Sequence, residues 1–210
     1  MKVFVIHYSK LTDRKAFIVK QFAQHNITNY EFIDIDRDKI KNYNISMFTI
    51  NYNNVQIAIV LSHFQAYKEI AEKYENALIL EDDVILSNNF SKKLNEYMNE
   101  INDISIKFDM LFIGDGCKLH ISSNLIKHSQ NIYLTNNNGF GISRCSDSYI
   151  VSNKCAKILC NYIENLTYKI NIPIDWWLNK AIKDNNLFVY WAEPTIVTQG
   201  TQNGTYPSSH

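Results

Sequence analysis

The chain has 210 residues, of which 46% are hydrophobic, and its 21 Lys and Arg balance 21 Asp and Glu. This length suits one α/β domain with a substantial core, and the zero net charge argues against partners that attract basic proteins, such as nucleic acid or an acidic membrane surface. The opening apolar run is too short for a signal peptide, and no stretch approaches the roughly 18 apolar residues of a membrane span. We therefore predict a single domain over residues 1–210, located in the cytoplasm, with no membrane span.

Hydrophobic periodicity predicts alternating strands and helices along the chain. A strand at residues 3–7, a helix to about residue 25 and a strand at 30–36 suit a right-handed βαβ unit with parallel strands. Further along, we predict helices at 56–74, 91–101, 152–163 and 175–183 and strands at 77–80, 108–113, 149–151 and 187–191. We also predict an irregular polar segment at 41–54, a hairpin between 118 and 134, a turn at 139–141 and an irregular tail that ends in a disordered His210. This order of elements indicates the α/β class.

The four cysteines predict neither a zinc site nor a disulfide framework. Their spacing differs from that of zinc ligand sets, and they are too few to hold a small domain together. We expect free, partly buried thiols at Cys117, Cys145, Cys155 and Cys160.

Three adjacent carboxylates follow the most apolar strand. Residues 77–80 form a short aliphatic run that suits a strand buried on both faces, and Glu81, Asp82 and Asp83 come directly after it. Ligands of open α/β sheets bind at this carboxyl edge, and clustered carboxylates repel one another unless a cation joins them. The pattern therefore indicates a metal-dependent site, although a surface turn or a helix N-cap uses the same residue types.

Several blocks occur in an order that resembles one known family. They are Val3-Phe4-Val5-Ile6-His7 with Asp13-Arg14, Leu61-Ser62-His63, Leu78-Ile79-Leu80-Glu81-Asp82-Asp83, Ser148-Tyr149-Ile150-Val151-Ser152, Pro173-Ile174-Asp175-Trp176-Trp177-Leu178 and Pro194-Thr195-Ile196-Val197-Thr198-Gln199. Together they resemble glycosyltransferase family 25, which includes lipooligosaccharide and collagen galactosyltransferases. The chain departs from that pattern at His7-Tyr8, in place of Asn-Leu, and at residues 145–148, in place of a Gly-Thr or Gly-Ala pair close to the donor.

The resemblance implies a GT-A type fold, a Rossmann-like mixed sheet flanked by helices, that binds a nucleotide-sugar and Mn²⁺ or Mg²⁺. Asp83 is the first candidate metal ligand, and Glu81 shares its face if the strand continues through both residues. Asp82 would then hold the ribose or a water beside the metal. Gln199 is the candidate third ligand, and it departs from the pattern because many such enzymes use His at this place.

Five further residues are candidates for binding the donor. Arg14 can neutralise a diphosphate, Tyr8 can stack on the nucleobase, and His63 can contact phosphate or a sugar hydroxyl. His7 lies at the sheet edge, and Asp34 ends a strand where an acid often binds a base or ribose. Four of them have a plain structural alternative: a solvated helix residue for Arg14, a loop anchor for Tyr8, a core histidine for His63 and a turn acid for Asp34.

Asp175 is the candidate general base. The resemblance implies inversion at the sugar carbon, a single displacement in which a base takes the proton of the acceptor hydroxyl. Asp175 precedes Trp176 and Trp177, whose rings can raise the pKa of the carboxyl group and offer a platform to a sugar face. The alternative is that Asp175 caps a helix and the tryptophans belong to the core.

The leading hypothesis is a metal-dependent, inverting glycosyltransferase of the lipopolysaccharide biosynthesis type. It would move a hexose, for which galactose is one candidate, from a UDP-sugar to a glycan or glycoprotein acceptor. The alternative is a non-catalytic module of the same fold that binds glycan or a partner glycosyltransferase, as the altered residues 145–148 and the missing His at Gln199 would allow. A nucleotidyltransferase would need a glycine-rich phosphate loop, which residues 8–11 lack.

Overall fold

The computed structural model describes residues 1–103, 108–121, 125–135 and 143–207. The turn expected at 139–141 and the terminal His210 lie outside these residues. The strands are β1 (Lys2–Ile6), β2 (Tyr30–Ile33), β3 (Asn76–Glu81), β4 (Val84–Leu86), β5 (Met110–Phe112), β6 (Ile126–Lys127), β7 (Ile132–Leu134), β8 (Ser148–Ser152), β9 (Val189–Ala192) and β10 (Val197–Gln199). The helices are α1 (Thr12–Gln24), α2 (Asn54–Lys73), α3 (Phe90–Asp103), α4 (Asn153–Glu164) and α5 (Ile174–Asp184), with 3-10 turns at Arg37–Asn42 and Gly116–Lys118.

Eight strands form one mixed sheet in the order β2-β1-β3-β8-β5-β9-β7-β6. The pairs β1–β2, β1–β3 and β5–β9 are parallel, which confirms the parallel β1-α1-β2 unit, whereas β8 is antiparallel to both β3 and β5. The predicted hairpin is the antiparallel pair β6–β7. The mixed sheet flanked by helices confirms the expected fold class.

The tail was predicted to be irregular, and this prediction was wrong. Residues Val197–Gln199 pair antiparallel with Val84–Leu86, so that Gln199 lies opposite Val84, next to the carboxylates. Three-residue strands are too short to show an alternating pattern in the sequence, and their pairing depends on residues more than a hundred positions apart.

The core has two layers, one on each face of the sheet. Phe4 and Ile6 of β1 pack with α2, α4 and α5, whereas Val3 and Val5 pack with α1 and α3. Successive side chains of a strand point to opposite faces, so a strand that is apolar throughout must be covered on both. Each large apolar side chain that becomes fully buried contributes about 1.5–3 kcal/mol, which fixes the position of the central strands.

The irregular polar segment at residues 41–54 is anchored to this core. Phe48 is 6% exposed and pairs with Ile170 in an isolated bridge, while its ring stacks on Tyr52. The segment ends where Asn53 caps α2, because its side-chain oxygen accepts a 2.7 Å hydrogen bond from the N–H of Val55. In the part of the chain that the structure describes, no helix combines the length and the apolar character needed to cross a bilayer.

Candidate active site

The three adjacent carboxylates point in three directions. Strand β3 ends at Glu81, and Asp82 and Asp83 form the turn into β4, so the alternation expected along a continuous strand does not apply. Glu81 accepts a 2.7 Å hydrogen bond from the hydroxyl of Ser146. Asp83 accepts a 2.5 Å hydrogen bond from the hydroxyl of Thr201.

Asp82 is bound by two buried residues. Its Oδ1 lies 2.9 Å from NH1 of Arg14, and its Oδ2 lies 2.7 Å from Nδ1 of His7. Arg14 also donates a 2.8 Å hydrogen bond to the carbonyl of Pro207 and faces the ring of Tyr206. These contacts join β1, α1, the β3–β4 turn and the end of the described chain. His7, Arg14 and Asp82, which the sequence suggested for donor binding, therefore have a structural role here.

Asp83 is a buried carboxylate with an unsatisfied oxygen. It is 3% exposed, and its Oδ1 has no hydrogen-bond partner among the described residues. Burial and the neighbouring Glu81 raise the pKa of Asp83 to about 6, although the hydrogen bond from Thr201 and the charge of Arg14 act in the opposite direction. A carboxylate in this position is prepared to accept a cation.

Asp147 is a fourth carboxylate that the sequence analysis did not select. It is 1% exposed, its Oδ2 accepts a 2.7 Å hydrogen bond from Ser148, and its Oδ1 has no partner in the described parts of the chain. Burial raises its pKa well above the usual range, and Glu81 and Asp83 raise it further. In the sequence, Asp147 comes directly before a predicted strand. The structure shows that this strand, β8, pairs with β3, which carries Glu81 at its end.

Two glycines make room for Asp147. A Cβ atom on Gly114 would lie 2.3 Å from Oδ2 of Asp147, and one on Gly116 would lie 2.3 Å from Oδ1. Any larger residue at either position would displace the carboxylate. The two glycines that follow β5 therefore belong to the site.

Glu81 is supported from behind by a chain of buried side chains. Oε1 of Glu81 lies 3.6 Å from Nε2 of His63, whose Nδ1 lies 2.6 Å from the hydroxyl of Tyr149. That hydroxyl lies 2.7 Å from the hydroxyl of Tyr67. His63 is 0% exposed and its Nε2 has no hydrogen-bond partner among the described residues, so it packs behind Glu81 and does not touch a ligand in the cleft.

A cleft opens at the carboxyl ends of β1 and β3. Seven of the ten residues selected from the sequence line it: His7, Tyr8, Arg14, Glu81, Asp82, Asp83 and Gln199. His63 lies behind this lining, and the exposed Asp34 and the partly exposed Asp175 lie outside it.

Tyr8 and Arg37 form one side of the cleft. The guanidinium of Arg37 lies 3.9 Å from the centre of the Tyr8 ring, and the hydroxyl of Tyr8 donates a 2.7 Å hydrogen bond to Asp38. Lys10 pairs with the same carboxylate of Asp38. Arg37 is a cation that the sequence analysis did not select, although it directly follows the acid that ends the second predicted strand.

Asp175 lies in the first turn of α5, near the same end of the sheet. Burial raises the pKa of its carboxyl group, hydrogen bonds from the backbone of Trp176 and of Asp175 itself lower it, and the charge of Glu81 raises it. Trp176 is 63% exposed whereas Trp177 is fully buried, so only Trp176 can offer a ring face to a ligand. Trp177 therefore belongs to the core, and Trp176 is the residue that can serve as a platform for a sugar.

The oxygen donors fit a divalent cation that is shared with a substrate. Among the described residues, no three His, Cys, Asp or Glu side chains form a complete metal-binding group. Mg²⁺ is commonly held by only one or two carboxylates together with substrate phosphates and water. The unpartnered buried oxygen of Asp83 suits this arrangement, because Glu81 and Gln199 line the same cleft. Asp147, whose Oδ1 is also unpartnered, interacts electrostatically with both Glu81 and Asp83.

The sequence is similar to known glycosyltransferases. The family model for "Glycosyltransferase family 25 (LPS biosynthesis protein)" matches residues 1–178. Mouse procollagen galactosyltransferase 2 is 25% identical over 127 residues, which cover 54% of this chain and 20% of that protein. The procollagen lysyl hydroxylase and glycosyltransferase of Acanthamoeba polyphaga mimivirus is 23% identical over 195 residues, covering 79% of this chain and 20% of that protein.

A solved structure supports the fold. Residues 1–349 of TarS from S. aureus superpose with a TM-score of 0.52 at 13% identity, over 98% of this chain and 62% of that one. The chain spans about a fifth of the length of the two curated relatives, so their activities describe much longer proteins. Because the family model covers most of its length, the chain belongs to glycosyltransferase family 25.

Proposed function

We propose that this protein is a metal-dependent, inverting glycosyltransferase that moves a hexose from a UDP-sugar to a hydroxyl group of a glycan or glycoprotein. Galactose is the first candidate sugar, because the mouse relative is named a galactosyltransferase. Family membership supports the reaction class, and the open cleft at the carboxyl ends of the parallel strands supports a nucleotide-sugar site.

One observation carries the proposal. Asp83 and Asp147 each bury a carboxylate oxygen that has no hydrogen-bond partner among the described residues, and both interact electrostatically with Glu81. Unpartnered buried carboxylates are costly, and each one in a native structure requires an explanation. A divalent cation supplies the missing interaction for both groups.

The metal would be held by Asp83 and Asp147, with Glu81 and Gln199 placed to assist. When bound, Mn²⁺ or Mg²⁺ neutralises the negative charge that grows on a departing diphosphate. Ser146 keeps Glu81 in place, and Thr201 keeps Asp83 in place. Arg37, whose side chain lines the cleft wall, is the candidate to face the diphosphate.

Asp175 would act as the general base. In a single displacement, the acceptor oxygen forms a bond to the anomeric carbon, the bond from that carbon to the UDP oxygen breaks, and the acceptor proton passes to the Asp175 carboxylate. The raised pKa of Asp175 increases its affinity for that proton. The exposed ring of Trp176 is placed beside the base, where it can pack against the acceptor sugar.

Calorimetry with UDP tests this proposal. Saturable UDP binding in the presence of Mn²⁺, its loss in EDTA and its loss in Asp83→Asn are the expected results. Asp34→Asn, an exposed acid outside the cleft lining, is the control and should bind as the unmodified protein does. No saturable binding at millimolar UDP would overturn the proposal, whereas binding without transfer or hydrolysis of any UDP-sugar would favour the non-catalytic alternative.

A further inference from the structure

Two cysteines that the proposed mechanism does not use are in contact beside the candidate active site. The Sγ atoms of Cys117 and Cys145 lie 3.0 Å apart, and both thiols are free. A disulfide bond requires an approach to about 2.05 Å, a shift of about one ångström. The two residues lie on separate loops, one after β5 and one before β8.

The backbone brings these loops together closely. A Cβ atom on Gly116 would lie 2.6 Å from the Cβ of Cys145, so Gly116 is what lets the two loops meet. Cys117 and Cys145 adopt left-handed backbone conformations, with φ angles of 55° and 60°. Such conformations are uncommon for residues other than glycine, and here they orient both side chains toward each other.

Both loops are connected to the carboxylates of the site. Ser146, next to Cys145, donates to Glu81, and Asp147 follows directly. Cys117 lies 3.6 Å from Nε2 of Gln202, on the segment whose Thr201 binds Asp83. A covalent bond between the two sulfur atoms would therefore restrain both sides of the carboxylate cluster.

We propose that Cys117 and Cys145 form a reversible disulfide by exchange with low-molecular-weight disulfides, and that this bond weakens nucleotide binding. Cys117 is exposed and Cys145 is half-buried, so Cys117 is the residue that an external disulfide reaches first. The Cys117 thiolate attacks one sulfur of the reagent and releases one thiol. The Cys145 thiol then attacks Sγ of Cys117, its proton passes to the departing sulfur, and the second thiol leaves.

Two protein thiols are oxidised to one disulfide while one molecule of the reagent is reduced to two thiols, and a monothiol or dithiol reductant reverses the change. The effect on binding rests on the proposed function, but formation of the bond does not. The two are therefore measured separately.

The first measurement is peptide mapping after equilibration with oxidised and reduced glutathione. A Cys117–Cys145 link that is absent in Cys117→Ser and present in the control Cys160→Ser is the expected result. A stable mixed disulfide on Cys117 without the internal link would overturn the proposal. Cys117 is exposed, so Cys117→Ser should fold, and a thermal melt verifies this.

The second measurement is the affinity for UDP with Mn²⁺ before and after oxidation. At least a fivefold loss in the oxidised protein, restored by dithiothreitol and absent in Cys117→Ser, is expected. An unchanged affinity in a fully linked protein would overturn the regulatory part. If the reduced protein binds no UDP, the proposed function fails while the mapping result still decides whether the disulfide exists.

Discussion

The backbone N–H of Glu81 donates a 2.8 Å hydrogen bond to the carbonyl of Asp147. This bond extends the antiparallel pairing of β3 with β8 by one step and brings two acidic residues, 66 positions apart in the sequence, to the same edge of the sheet. The acidic site is therefore built from two strands and not from one motif. The stability of the metal-free protein should reflect this concentration of buried negative charge.

We predict that Asp147→Asn stabilises the metal-free protein at neutral pH. Burial raises the pKa of Asp147 above its value in the unfolded chain, so the folded form retains a proton that the unfolded form releases. That contribution is complete at low pH and is lost as pH rises from about 4 through the folded-state pKa. An Asn side chain does not ionise, so the variant does not lose this free energy of unfolding as pH rises. A gain of about 1 kcal/mol would raise Tm by roughly 2–4 °C in a chain of this size.

Thermal melts in EDTA at pH 5 and pH 8 measure this effect. The difference between Asp147→Asn and the unmodified protein should widen toward pH 8, and Asp34→Asn should show no such difference. Addition of Mn²⁺ with UDP should reverse the order, because a ligand that binds the folded state stabilises it. A lower Tm for Asp147→Asn in EDTA at both pH values would contradict the prediction.

Asp82→Ala should unfold the protein more readily, in contrast to the expectation from sequence that Asp82 acts on the donor. Asp82 and Arg14 are both largely buried and their ion pair is 2.9 Å long. Removal of one partner of a buried ion pair costs about 3–5 kcal/mol, since the other charge remains buried without compensation.

Urea denaturation of Asp82→Ala and of the double variant Asp82→Ala with Arg14→Met tests the origin of this cost. Met retains much of the apolar stem of Arg14 without the charge, so the double variant should recover part of the lost stability. If Asp82→Ala has the same free energy of unfolding as the unmodified protein but lacks UDP binding, Asp82 contacts the donor and the structural interpretation is wrong.

The elements that hold the site were predictable because their signals are local. The continuous apolar run of β3 and the helical spacing in α2 place the carboxylates and His63 near their observed positions. A buried strand must be apolar and a helix packed on a sheet must be amphipathic, whatever surrounds them. The end of β3 was predicted to within one residue, at residue 80 whereas the strand ends at Glu81, and with it the edge at which the cleft opens.

The connections within the site were not predictable, because they depend on distant segments. Asp147 is buried only because β8 pairs with β3 and because Gly114 and Gly116 approach it from the end of β5. Likewise, the partners of Asp82 come from α1 and from the residue after β1. A sequence shows which residue types are present at these positions, but the direction of each side chain follows from the tertiary pairing.

Metal binding should weaken in acid because of Asp83. Its pKa is raised to about 6, so the metal-free carboxyl group is largely protonated below this pH and a cation must displace the proton. Protonation of Asp83 should therefore lower the affinity for Mn²⁺ with UDP by up to about tenfold per pH unit below pH 6. The pKa of Asp147, the other proposed ligand, is raised well above its usual range, so its proton adds a further pH dependence that continues above pH 6.

Thr201→Val is the matched variant for this pH dependence. The Thr201 hydroxyl donates to Asp83 and lowers the pKa of that carboxyl group, so its removal should move the midpoint to higher pH while leaving the high-pH affinity near its original value. Calorimetric titrations between pH 5 and pH 8 measure both effects. A midpoint that is the same in both proteins would show that another group controls the pH dependence.

Asp175→Asn should separate catalysis from donor binding. Asp175 lies outside the cleft lining that contains the carboxylate turn, so the substitution should leave the affinity for UDP with Mn²⁺ within about twofold of its original value. Loss of a general base typically lowers kcat by about 10²–10⁴. In the unmodified enzyme, kcat should fall in acid at a pH above the usual pKa range of an aspartate, because burial raises the pKa of Asp175.

Asp184→Asn, at the other end of α5 in an exposed pair with Lys180, is the control for changes in helix stability and should retain full activity. A variant with normal kcat and weakened UDP binding would place Asp175 in the donor site instead, whereas a normal kcat with normal binding would show that the proton leaves by another route.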